Sequence, residues 1–303
     1  QISLVSKDSG KPVVACFMGE VSVGEARQVL HENHIPMYVY PESTGKVLGA
    51  MRRYSLWRSR PEDETAPLAG IDQAAARRQL DKAGGMQALG ESLTRPLLAA
   101  YGIPLVAGGF AAIAAEAVDI ARKVGFPVVM KIVSPDILHK SEAGGIKLNL
   151  GHEDEVQTAY EHLMRSVAGR LPQARLEGVL VEAMAPIGQE VIVGMKRDPN
   201  FGPLMMFGFG GIYVELFSDV AFRVAPVSRG EALSMIHQTR AGRLLTGFRD
   251  QPEADLEAVM DAIMRLSQLA LDFPELSEVE INPLLVFPKG QGALALDCRA
   301  ITR

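Results

Sequence analysis

The sequence is poor in the features that mark secreted, membrane-spanning and thiolate-metal proteins. Cysteine is scarce, since Cys16 and Cys298 are the two present and no CxxC or Cys/His ligand spacing occurs. Isolated cysteines of this kind are usually free, buried thiols in a reducing compartment. No apolar run reaches about 18 residues, and no basic-then-apolar leader occurs, which argues against a transmembrane helix or a signal peptide. We therefore predict a soluble, cytoplasmic protein.

An excess of positive charge is also missing. Lys and Arg number 31 against 36 Asp and Glu, which gives a net charge of −5 and a pI near 5.8. A nucleic-acid or anionic-membrane partner normally requires a basic surface, so we expect neither. The phosphate-binding pattern GxxxxGK[ST] does not occur, which disfavours a P-loop fold. Any anion must therefore be held by a local cluster of residues.

What the chain does contain is enough apolar sequence for two or more folding units, with 303 residues of which 48% are hydrophobic. Residues 11–53 alternate strand, helix, strand and helix, with Ser43 as the predicted cap of the second helix. This is the pattern of a parallel α/β sheet, but two strands do not make a stable sheet domain. Because the chain also starts at Gln1 rather than Met, we expect a fragment or a processed chain.

Beyond a polar linker and a short Arg-rich helix, the pattern from about residue 103 becomes α+β. We predict two mixed subdomains with a cleft between them, where a nucleotide would fit. The strands include 103–107 and 220–227, and in the second strand Val220, Phe222 and Val224 are predicted to face the core with Arg223 outward.

Two predicted strands that each carry a lysine flank a polar loop at residues 134–145. Lys131 lies on the first strand and Lys147 on the second, and the loop between them holds His139 and a glycine pair. Lysine is a point charge suited to phosphate oxygens, and a histidine nitrogen can act as a base or a nucleophile. The pattern indicates a hairpin that handles phosphate. The alternative is an ordinary hairpin with a solvated loop.

Acidic and amide side chains alternate inside apolar strands near the end of the chain. Glu280 and Asn282 are two residues apart and so share one face of a strand, and Asp297 belongs to the next strand. Carboxylate and amide oxygens suit Mg²⁺, which takes the rest of its ligands from water and substrate phosphates. A solvated polar face is the alternative interpretation.

Two weaker patterns complete the set. The glycine-rich segment that contains Gly210 and Gly211 could present backbone N–H groups to a phosphate, and Arg223 could hold another oxygen. A tight turn is the alternative for the glycines. The strand end Glu182, Ala183, Met184 could hydrogen-bond an adenine edge through its backbone, and Glu190 is placed for ribose hydroxyls. Together with the lysines and the magnesium-type residues, these patterns describe an ATP site.

The motifs closely resemble a known family. The segments YGIP, GFPVVMKIVSPDILHKSEAGGIKLNL, GQEVIVGMKRDPNFGPLMMFGFGGIYVELFSDVAFRVAP and EVEINPLLV occur in the order typical of the ATP-grasp module of nucleoside-diphosphate-forming acyl-CoA synthetases. ADP-forming acetate:CoA ligase typifies this family, and succinyl-CoA synthetase is related to it. The likeness covers about residues 85–299. Residues 1–57 resemble the closing half of the second flavodoxin-like ligase domain that precedes this module.

The resemblance implies a domain plan and an activity. Residues 1–58 would be the C-terminal portion of a flavodoxin-like ligase-CoA domain, 59–84 a linker and helix, and 85–303 a two-subdomain ATP-grasp domain. The implied reaction makes acyl-CoA from a carboxylic acid, CoA and ATP, with ADP and phosphate released, through an acyl phosphate and a phosphohistidine. The other part of the enzyme, on the same polypeptide or a separate subunit, would be a partner, and the assembly an oligomer.

The resemblance also assigns roles. His139 matches the histidine that relays the phosphoryl group, and Glu280 stands where many relatives have an aspartate that assists it. Lys131 matches the lysine on the nucleotide phosphates, and Asn282 and Asp297 match the magnesium ligands. Further matches are an adenine hinge at Glu182, Ala183 and Met184 and a ribose carboxylate at Glu190.

Two other functions compete with this one. In protein lysine acetyltransferases the same modules, often degenerate, act as a regulatory acyl-CoA or nucleotide sensor. In this chain the ILHK histidine, the EIN motif and Asp297 are all present, which favours the enzyme. The third possibility is an ATP-grasp ligase of amines and carboxylates, in which the loop histidine would have no role.

Overall fold

The structure is a computed structural model, and it describes residues 6, 10–19, 23–59, 67–137, 140–211, 219–247 and 252–303. The chain divides into two compact units, Gln1–Glu62 and Asp63–Arg303. The division falls inside the predicted linker region at 59–84. Within the described ranges, no helix is both long and apolar enough to cross a bilayer.

The first unit is a small parallel α/β arrangement, as predicted. Its elements in chain order are β1 (Ala15–Cys16), α1 (Gly24–Glu32), β2 (Met37–Tyr38) and α2 (Pro41–Arg58). Strands β1 and β2 pair in parallel. The predicted cap at Ser43 is wrong, because α2 begins at Pro41, whose fixed φ and missing N–H suit the first helical position. In the described part of this unit, the buried apolar cluster consists of Ala15, Leu30 and Ile35.

The second unit contains all the remaining described elements. Its helices are α3 (Gln73–Lys82), α4 (Glu91–Ala100), α5 (Ala114–Val124), α6 (Glu153–Arg170), α7 (Arg229–His237), α8 (Arg240–Leu245) and α9 (Leu256–Asp272). Its strands are β3 (Ala88–Leu89), β4 (Gly108–Ala111), β5 (Val128–Val133), β6 (Ile146–Leu150), β7 (Gly178–Ala183), β8 (Gln189–Asp198), β9 (Gly202–Phe209), β10 (Val220–Val224), β11 (Leu276–Val286), β12 (Ala293–Ala295) and β13 (Cys298–Thr302). Helix α3, which we placed in the linker region, packs Ala76 and Leu80 into the core of this unit.

The strands form two antiparallel sheets, which agrees with the predicted two-subdomain fold. The small sheet has the order β4-β7-β5-β6, and helices α5 and α6 cover one of its faces. The large sheet has the order β10-β9-β8-β11-β13-β3, with β12 also paired to β11. Helices α7, α8 and α9 pack on one face of the large sheet. Each sheet therefore keeps one face that these helices do not cover.

Two predicted strands need correction. Residues 103–107 form only a parallel bridge between Leu105 and Ala295, and the strand lies at β4 instead. Glycines 108 and 109 have low β propensity and so concealed it, yet Gly108 lies against the backbone of β7 where a Cβ would collide. Strand β10 ends at Val224, and its predicted faces are reversed, because Phe222 is 50% exposed and Val224 46%.

Candidate active site between the two sheets

The predicted phosphate lysine lies on the face of the small sheet that α5 and α6 leave uncovered. Lys131 projects from the interior of β5, and its Nζ lies 2.8 Å from Oε2 of Glu182 on the neighbouring strand β7. The same Nζ donates to the carbonyl oxygen of Leu296 at 2.7 Å. The Lys131 ammonium therefore connects the small sheet to the segment of the large sheet that carries Asp297.

The two residues predicted to bind a metal are adjacent through their backbones. The backbone N–H of Asn282 donates to the carbonyl oxygen of Asp297 at 3.0 Å, and the N–H of Leu296 donates to Pro283 at 3.1 Å. Asp297 lies between β12 and β13, directly after the residue whose carbonyl accepts from Lys131. The backbones of Asn282 and Asp297 are thus adjacent, and the Lys131 ammonium contacts the residue before Asp297, although the three residues are up to 166 positions apart in sequence.

The glycine-rich segment forms a tight turn beside Asn282. The N–H of Gly211 donates to Oδ1 of Asn282 at 2.7 Å, and Gly211 has a φ of +62°. Gly210 needs its small size, since a Cβ there would lie 2.7 to 2.8 Å from backbone atoms of Val191. The Glu190 carboxylate lies close to Gly211. The residue predicted to bind ribose hydroxyls is therefore next to the glycines predicted to bind a phosphate.

Two residues that the sequence analysis did not single out complete the charged cluster. Nζ of Lys140 lies 2.8 Å from Oε2 of Glu91 and 3.2 Å from Oδ1 of Asp297. Glu91 is the first residue of α4 and is 5% exposed. For Lys140 the available signal was its position directly after His139, whereas nothing in the local sequence marked Glu91. Lys140 and its partner Asp297 are 157 positions apart, which is why the sequence did not indicate that they pair.

The electrostatics of this cluster follow from burial and from charge balance. Burial and the neighbouring Asp297 carboxylate raise the pKa of Glu91 to about 7, against the lowering effect of Lys140 and Lys131. Burial lowers the pKa of Lys140, but Glu91 and Asp297 outweigh it, so that the net shift is upward. Lys140 is therefore a firmly charged ammonium shared by two carboxyl groups.

A third buried cation lies behind Lys131. Arg95 on α4 forms an ion pair with Glu182, and its second terminal nitrogen donates to the carbonyl oxygen of Val106 at 2.5 Å. The side chains of Arg95 and Glu182 are 10% and 2% exposed. Glu182 is thus placed between two cations, so its carboxylate positions Lys131 and is not free for a ligand.

The predicted adenine hinge lies where β7 ends. Two of its N–H groups already donate within the sheet, from Ala183 to Ala107 at 2.9 Å and from Met184 to Pro127 at 3.2 Å. An adenine edge could therefore use only other backbone groups of this segment. The assignment of Glu182, Ala183 and Met184 to the nucleobase remains a prediction.

Glu280 lies on the uncovered face of the large sheet, but it already has partners. Its Oε2 accepts from Nη2 of Arg299 at 2.6 Å and from Nε at 2.9 Å, and its Oε1 accepts from Nδ2 of Asn282 at 3.2 Å. Arg299 is its direct partner on β13. In this arrangement Glu280 orients the Asn282 amide. Its predicted role toward a histidine remains untested.

Two predicted site residues lie elsewhere. Lys147 is the register partner of Met130, whereas Lys131 is the next residue along β5, so the two lysines point to opposite faces of the small sheet. Arg223 is the register partner of Met205, which lies in the helix-covered core, and it donates to Ser234 on α7 at 3.2 Å. Glu280 and Asn282 use the other face. The predicted convergence of Lys147 and Arg223 on the phosphate site is therefore wrong.

His139 and Leu138 lie outside the described residues. The two ends of their loop are described, and both are held by backbone contacts. Ile132 donates to Gly145 at 2.7 Å, and Gly145 donates to Lys140 at 2.7 Å. The residue that follows His139 is therefore held at two points, to Asp297 through its side chain and to Gly145 through its carbonyl oxygen.

The residues present fit a divalent cation with a phosphate ligand. The Asp297 carboxylate is 41% exposed and already accepts a cation, the Lys140 ammonium. The Asn282 oxygen has a second lone pair beside its bond from Gly211. Among the described residues no group of three His, Cys, Asp or Glu side chains forms a metal site of its own. One carboxylate and one amide are a typical Mg²⁺ set only when substrate phosphates supply further oxygens.

Comparisons with known proteins agree with this geometry. Residues 81–301 match the family model described as an ATP-grasp domain. The ADP-forming acetate–CoA ligase I of Archaeoglobus fulgidus is 43% identical over 284 residues, which are 93% of this chain and 41% of that protein. The beta subunit of the ADP-forming acetate–CoA ligase I of Pyrococcus furiosus is 43% identical over 229 residues, 75% of this chain and 98% of the subunit.

Solved structures give the same answer. Acetyl-coenzyme A synthetase 1 of Ca. Korarchaeum cryptofilum, in complex with coenzyme A and Ca-AMPCP, superposes with a TM-score of 0.72 at 45% identity. The match covers 75% of this chain and 100% of that chain. A second structure of that enzyme holds coenzyme A and Mg-AMPPCP, with its phosphohistidine segment pointing towards the nucleotide site, at a TM-score of 0.66 and 42% identity. It covers the same shares of the two chains. The chain therefore belongs to the ATP-grasp family, and it is similar to the ATP-grasp part of ADP-forming acetate–CoA ligases.

Proposed function

We propose that this chain supplies the nucleotide-binding, phosphoryl-transferring half of an ADP-forming acid–CoA ligase. The observation that carries the proposal is the convergence of Lys131, Asn282 and Asp297, together with Lys140, which directly follows His139 and contacts Asp297. The complete reaction would make acyl-CoA from a carboxylic acid, CoA and ATP, with ADP and phosphate released. ATP or ADP and Mg²⁺ would bind between the two sheets.

The residues have distinct tasks in this proposal. Lys131 neutralises phosphate charge, and the glycine-rich turn at Gly210 and Gly211 allows backbone to approach the phosphates. Asn282 and Asp297 would hold Mg²⁺, which neutralises charge on the transferring phosphoryl group when bound. Phosphoryl transfer depends on such positioning and charge stabilisation more than on covalent help from the protein.

His139 would be the nucleophile. A ring nitrogen of the neutral imidazole attacks the γ-phosphorus, the nitrogen–phosphorus bond forms, and the bond to the oxygen of ADP breaks with its electron pair leaving on ADP. In the synthetic direction the phosphohistidine then passes the phosphoryl group to the acyl site. A neutral imidazole is available near pH 7 because the ordinary pKa of histidine is about 6.5.

The chain spans 41% of the length of the fused Archaeoglobus relative, so the rest of the enzyme is part of the proposal. The acyl and CoA sites would lie mainly in ligase domains on the same polypeptide or in a second subunit. The Pyrococcus relative, which is a separate beta subunit, supports a multisubunit arrangement. We also propose a cytoplasmic location, because the two cysteines are free thiols.

A labelling experiment tests the histidine. When the chain is incubated with Mg²⁺ and ATP radioactive in its γ-phosphate, we expect protein-bound phosphate that is labile to acid and stable to base. His139→Ala should abolish the label yet bind ATP with the affinity of the unmodified chain. The matched control His162→Ala changes an exposed histidine of α6 and should label normally. Undiminished labelling of His139→Ala, or thioester formation by that variant with the ligase domains present, would contradict the proposal.

A further inference from the structure

The ammonium of Lys140 contacts the carboxylate of Asp297, which is a metal ligand in the proposed function. Its Nζ lies 3.2 and 3.3 Å from the two oxygens of Asp297, and 2.8 Å from Oε2 of Glu91. The Lys140 side chain is 13% exposed and the Asp297 side chain is 41% exposed, so this contact is only partly sheltered from water. A cation therefore already sits at Asp297, and it comes from the residue next to His139.

Glu91 is built as a second binding position for the same ammonium. It is 5% exposed, and its Oε1 has no hydrogen-bond partner among the residues that the structure describes. The Glu91 carboxylate thus has unused capacity, while its Oε2 already makes the shorter contact with Lys140. An unused buried oxygen of this kind is costly unless some state of the protein provides it with a donor.

Asp297 cannot serve an ammonium and a divalent cation equally, because like charges a few ångströms apart repel. We propose that Lys140 is a positioning residue that competes with the metal for Asp297, and that Glu91 retains Lys140 when the metal and nucleotide bind. The inference rests on the proposed metal site. In this exchange the ammonium moves from sharing two carboxylates to binding Glu91 alone, where both Oε1 and Oε2 can accept.

The exchange has a purpose in the site. While Asp297 is held by Lys140, the carboxylate is neutralised and oriented without metal. Once Lys140 binds Glu91 alone, the loop that carries His139 remains attached to α4, so metal binding and loop position are coupled through one side chain. Lys147, the other lysine next to this loop, lies on the opposite face of the sheet and has no part in the coupling.

The test measures binding and not activity. The dissociation constant of AMPPCP is determined by calorimetry with and without Mn²⁺. The constant without Mn²⁺ divided by the constant with Mn²⁺ is the ratio that measures the contribution of the metal, and a larger ratio means a larger contribution. Lys140→Met should raise this ratio about threefold to fivefold, since it removes a competitor bound as a partly exposed ion pair. Lys140→Arg retains the charge and should leave the ratio near that of the unmodified chain.

A charge control separates competition from a general electrostatic effect. Lys123→Met makes the same charge change at the exposed end of α5 and should leave the ratio unchanged. If Lys140 instead binds the nucleotide phosphates, Lys140→Met weakens AMPPCP binding both with and without metal and does not raise the ratio. That result would overturn the proposal.

Glu91 supplies the sharper test. Glu91→Gln removes the alternative position for the ammonium, so Lys140 should stay on Asp297 and the ratio should fall about threefold. In the Lys140→Met background the same Glu91→Gln change should have no effect, because no ammonium remains to be repositioned. An equal fall in both backgrounds would show that Glu91 acts only through its charge, and it would refute the exchange.

Two further measurements keep this inference separate from the proposed function. Asp297→Asn should reduce the Mn²⁺ contribution whether or not Lys140 is present, and a normal contribution in that variant would refute the metal site itself. Labelling of His139 reports the phosphoryl transfer independently. If His139 is labelled normally while the effects of Glu91→Gln and Lys140→Met on the ratio are additive, the exchange is refuted and the enzyme proposal is unaffected.

Discussion

At the scale of single residues, the site depends on buried charges that neutralise one another. Glu182 lies between Arg95 and Lys131, and its side chain is 2% exposed. Carboxylates and ammonium groups lose hydration free energy when they are buried. Their mutual attraction offsets this cost only while both partners are present. The position of Lys131 toward Leu296 is therefore maintained by Arg95 and Glu182, two residues that need not contact a ligand.

Replacement of Glu182 by glutamine should destabilise the fold. The change leaves two buried cations without a counter-charge, and we expect the free energy of unfolding to fall by about 3 kcal/mol. Urea unfolding followed by circular dichroism measures the difference. Glu153→Gln is the matched control, because Glu153 pairs with Arg122 at the exposed surface, and its unfolding midpoint should not change. Equal midpoints for the two variants would contradict this account.

Glu91 should make stability depend on pH. Its pKa is raised from 4.5 to about 7 in the folded protein, so between these values the folded state keeps a proton that the unfolded state has lost. The stability contributed by this proton is complete below about pH 4.5 and is lost as the pH rises through 7. Relative to Glu91→Gln, the unmodified chain should lose roughly 3 kcal/mol across that window.

Urea unfolding of both proteins at several pH values, in EDTA to remove metals, measures the Glu91 effect. Parallel pH profiles for the two proteins would show that Glu91 titrates at its ordinary value. A difference that grows with falling pH would reverse the sign of the argument, because it would mean that the folded state stabilises the charged carboxylate.

The sequence was informative about single residues only where local pattern carries the chemistry. Lys131, Asn282 and Asp297 were predictable, since each stands out as a polar residue in an apolar strand or at its end. Arg95 and Glu91 were not predictable, because both lie in an amphipathic helix where charged residues are ordinary. Their partners are distant, with Arg95 87 positions from Glu182. Nothing local indicates which charges a fold brings together.

At the scale of elements, the glycine-rich turn after β9 is the feature that admits least change. Gly210 is buried, and a Cβ at this position would lie 2.7 to 2.8 Å from the backbone of Val191. Backbone atoms in the interior of a sheet cannot move away as the end of a flexible side chain can. The turn therefore requires glycine for reasons of packing, in addition to any contact with phosphate.

Gly210→Ala should lower the free energy of unfolding by about 3 kcal/mol, the upper part of the range for inserting a methyl group into a packed site. The matched control is Gly169→Ala in α6, where a Cβ meets open space and alanine is the better helix former, so stability should rise slightly. Thermal unfolding compares them. A Gly210→Ala protein as stable as the unmodified chain would show that β8 and β9 can separate at no cost.

Most helices and buried strands were predictable from periodicity, but the register of β6 was not. Val128 pairs with Leu150, and continuing that register by three residues would place Lys131 opposite Lys147. A bulge intervenes, so Lys147 pairs with Met130 instead. One residue of slip moves every later side chain to the other face of a sheet. Asn149, with a φ of +58°, lies within the irregularity, and no pattern in the sequence marks it.

At the scale of the whole molecule, the two units differ greatly in how much core each contains. Among the residues that the structure describes, the buried cluster of the first unit has three members, whereas the large-sheet core of the second joins strands and helices from α3 to β13. Two short strands and two helices are marginal by themselves in water. The resemblance of the first unit to half of a larger domain is consistent with this small core.

Separate fragments should therefore behave differently. We expect residues 63–303 to unfold in one cooperative transition, and residues 1–62 alone to show gradual loss of helical signal without a cooperative midpoint. Circular dichroism during heating distinguishes the two. A cooperative transition of the 1–62 fragment would mean that its few apolar contacts suffice for independent folding.

The contacts at the two ends of the loop at residues 134–145 limit how far residue 139 can move. Oδ2 of Asp136 accepts from the backbone of Arg175 at 2.7 Å, and Lys140 is held by its side chain and its carbonyl oxygen. Consecutive Cα atoms are about 3.8 Å apart, so with Lys140 in place the Cα of residue 139 has a range of no more than about 8 Å. In the proposed reaction, delivery of a phosphoryl group beyond this range and the reach of the imidazole side chain would require the contacts of Lys140 to break, so the strength of one ion pair would then contribute to the turnover rate.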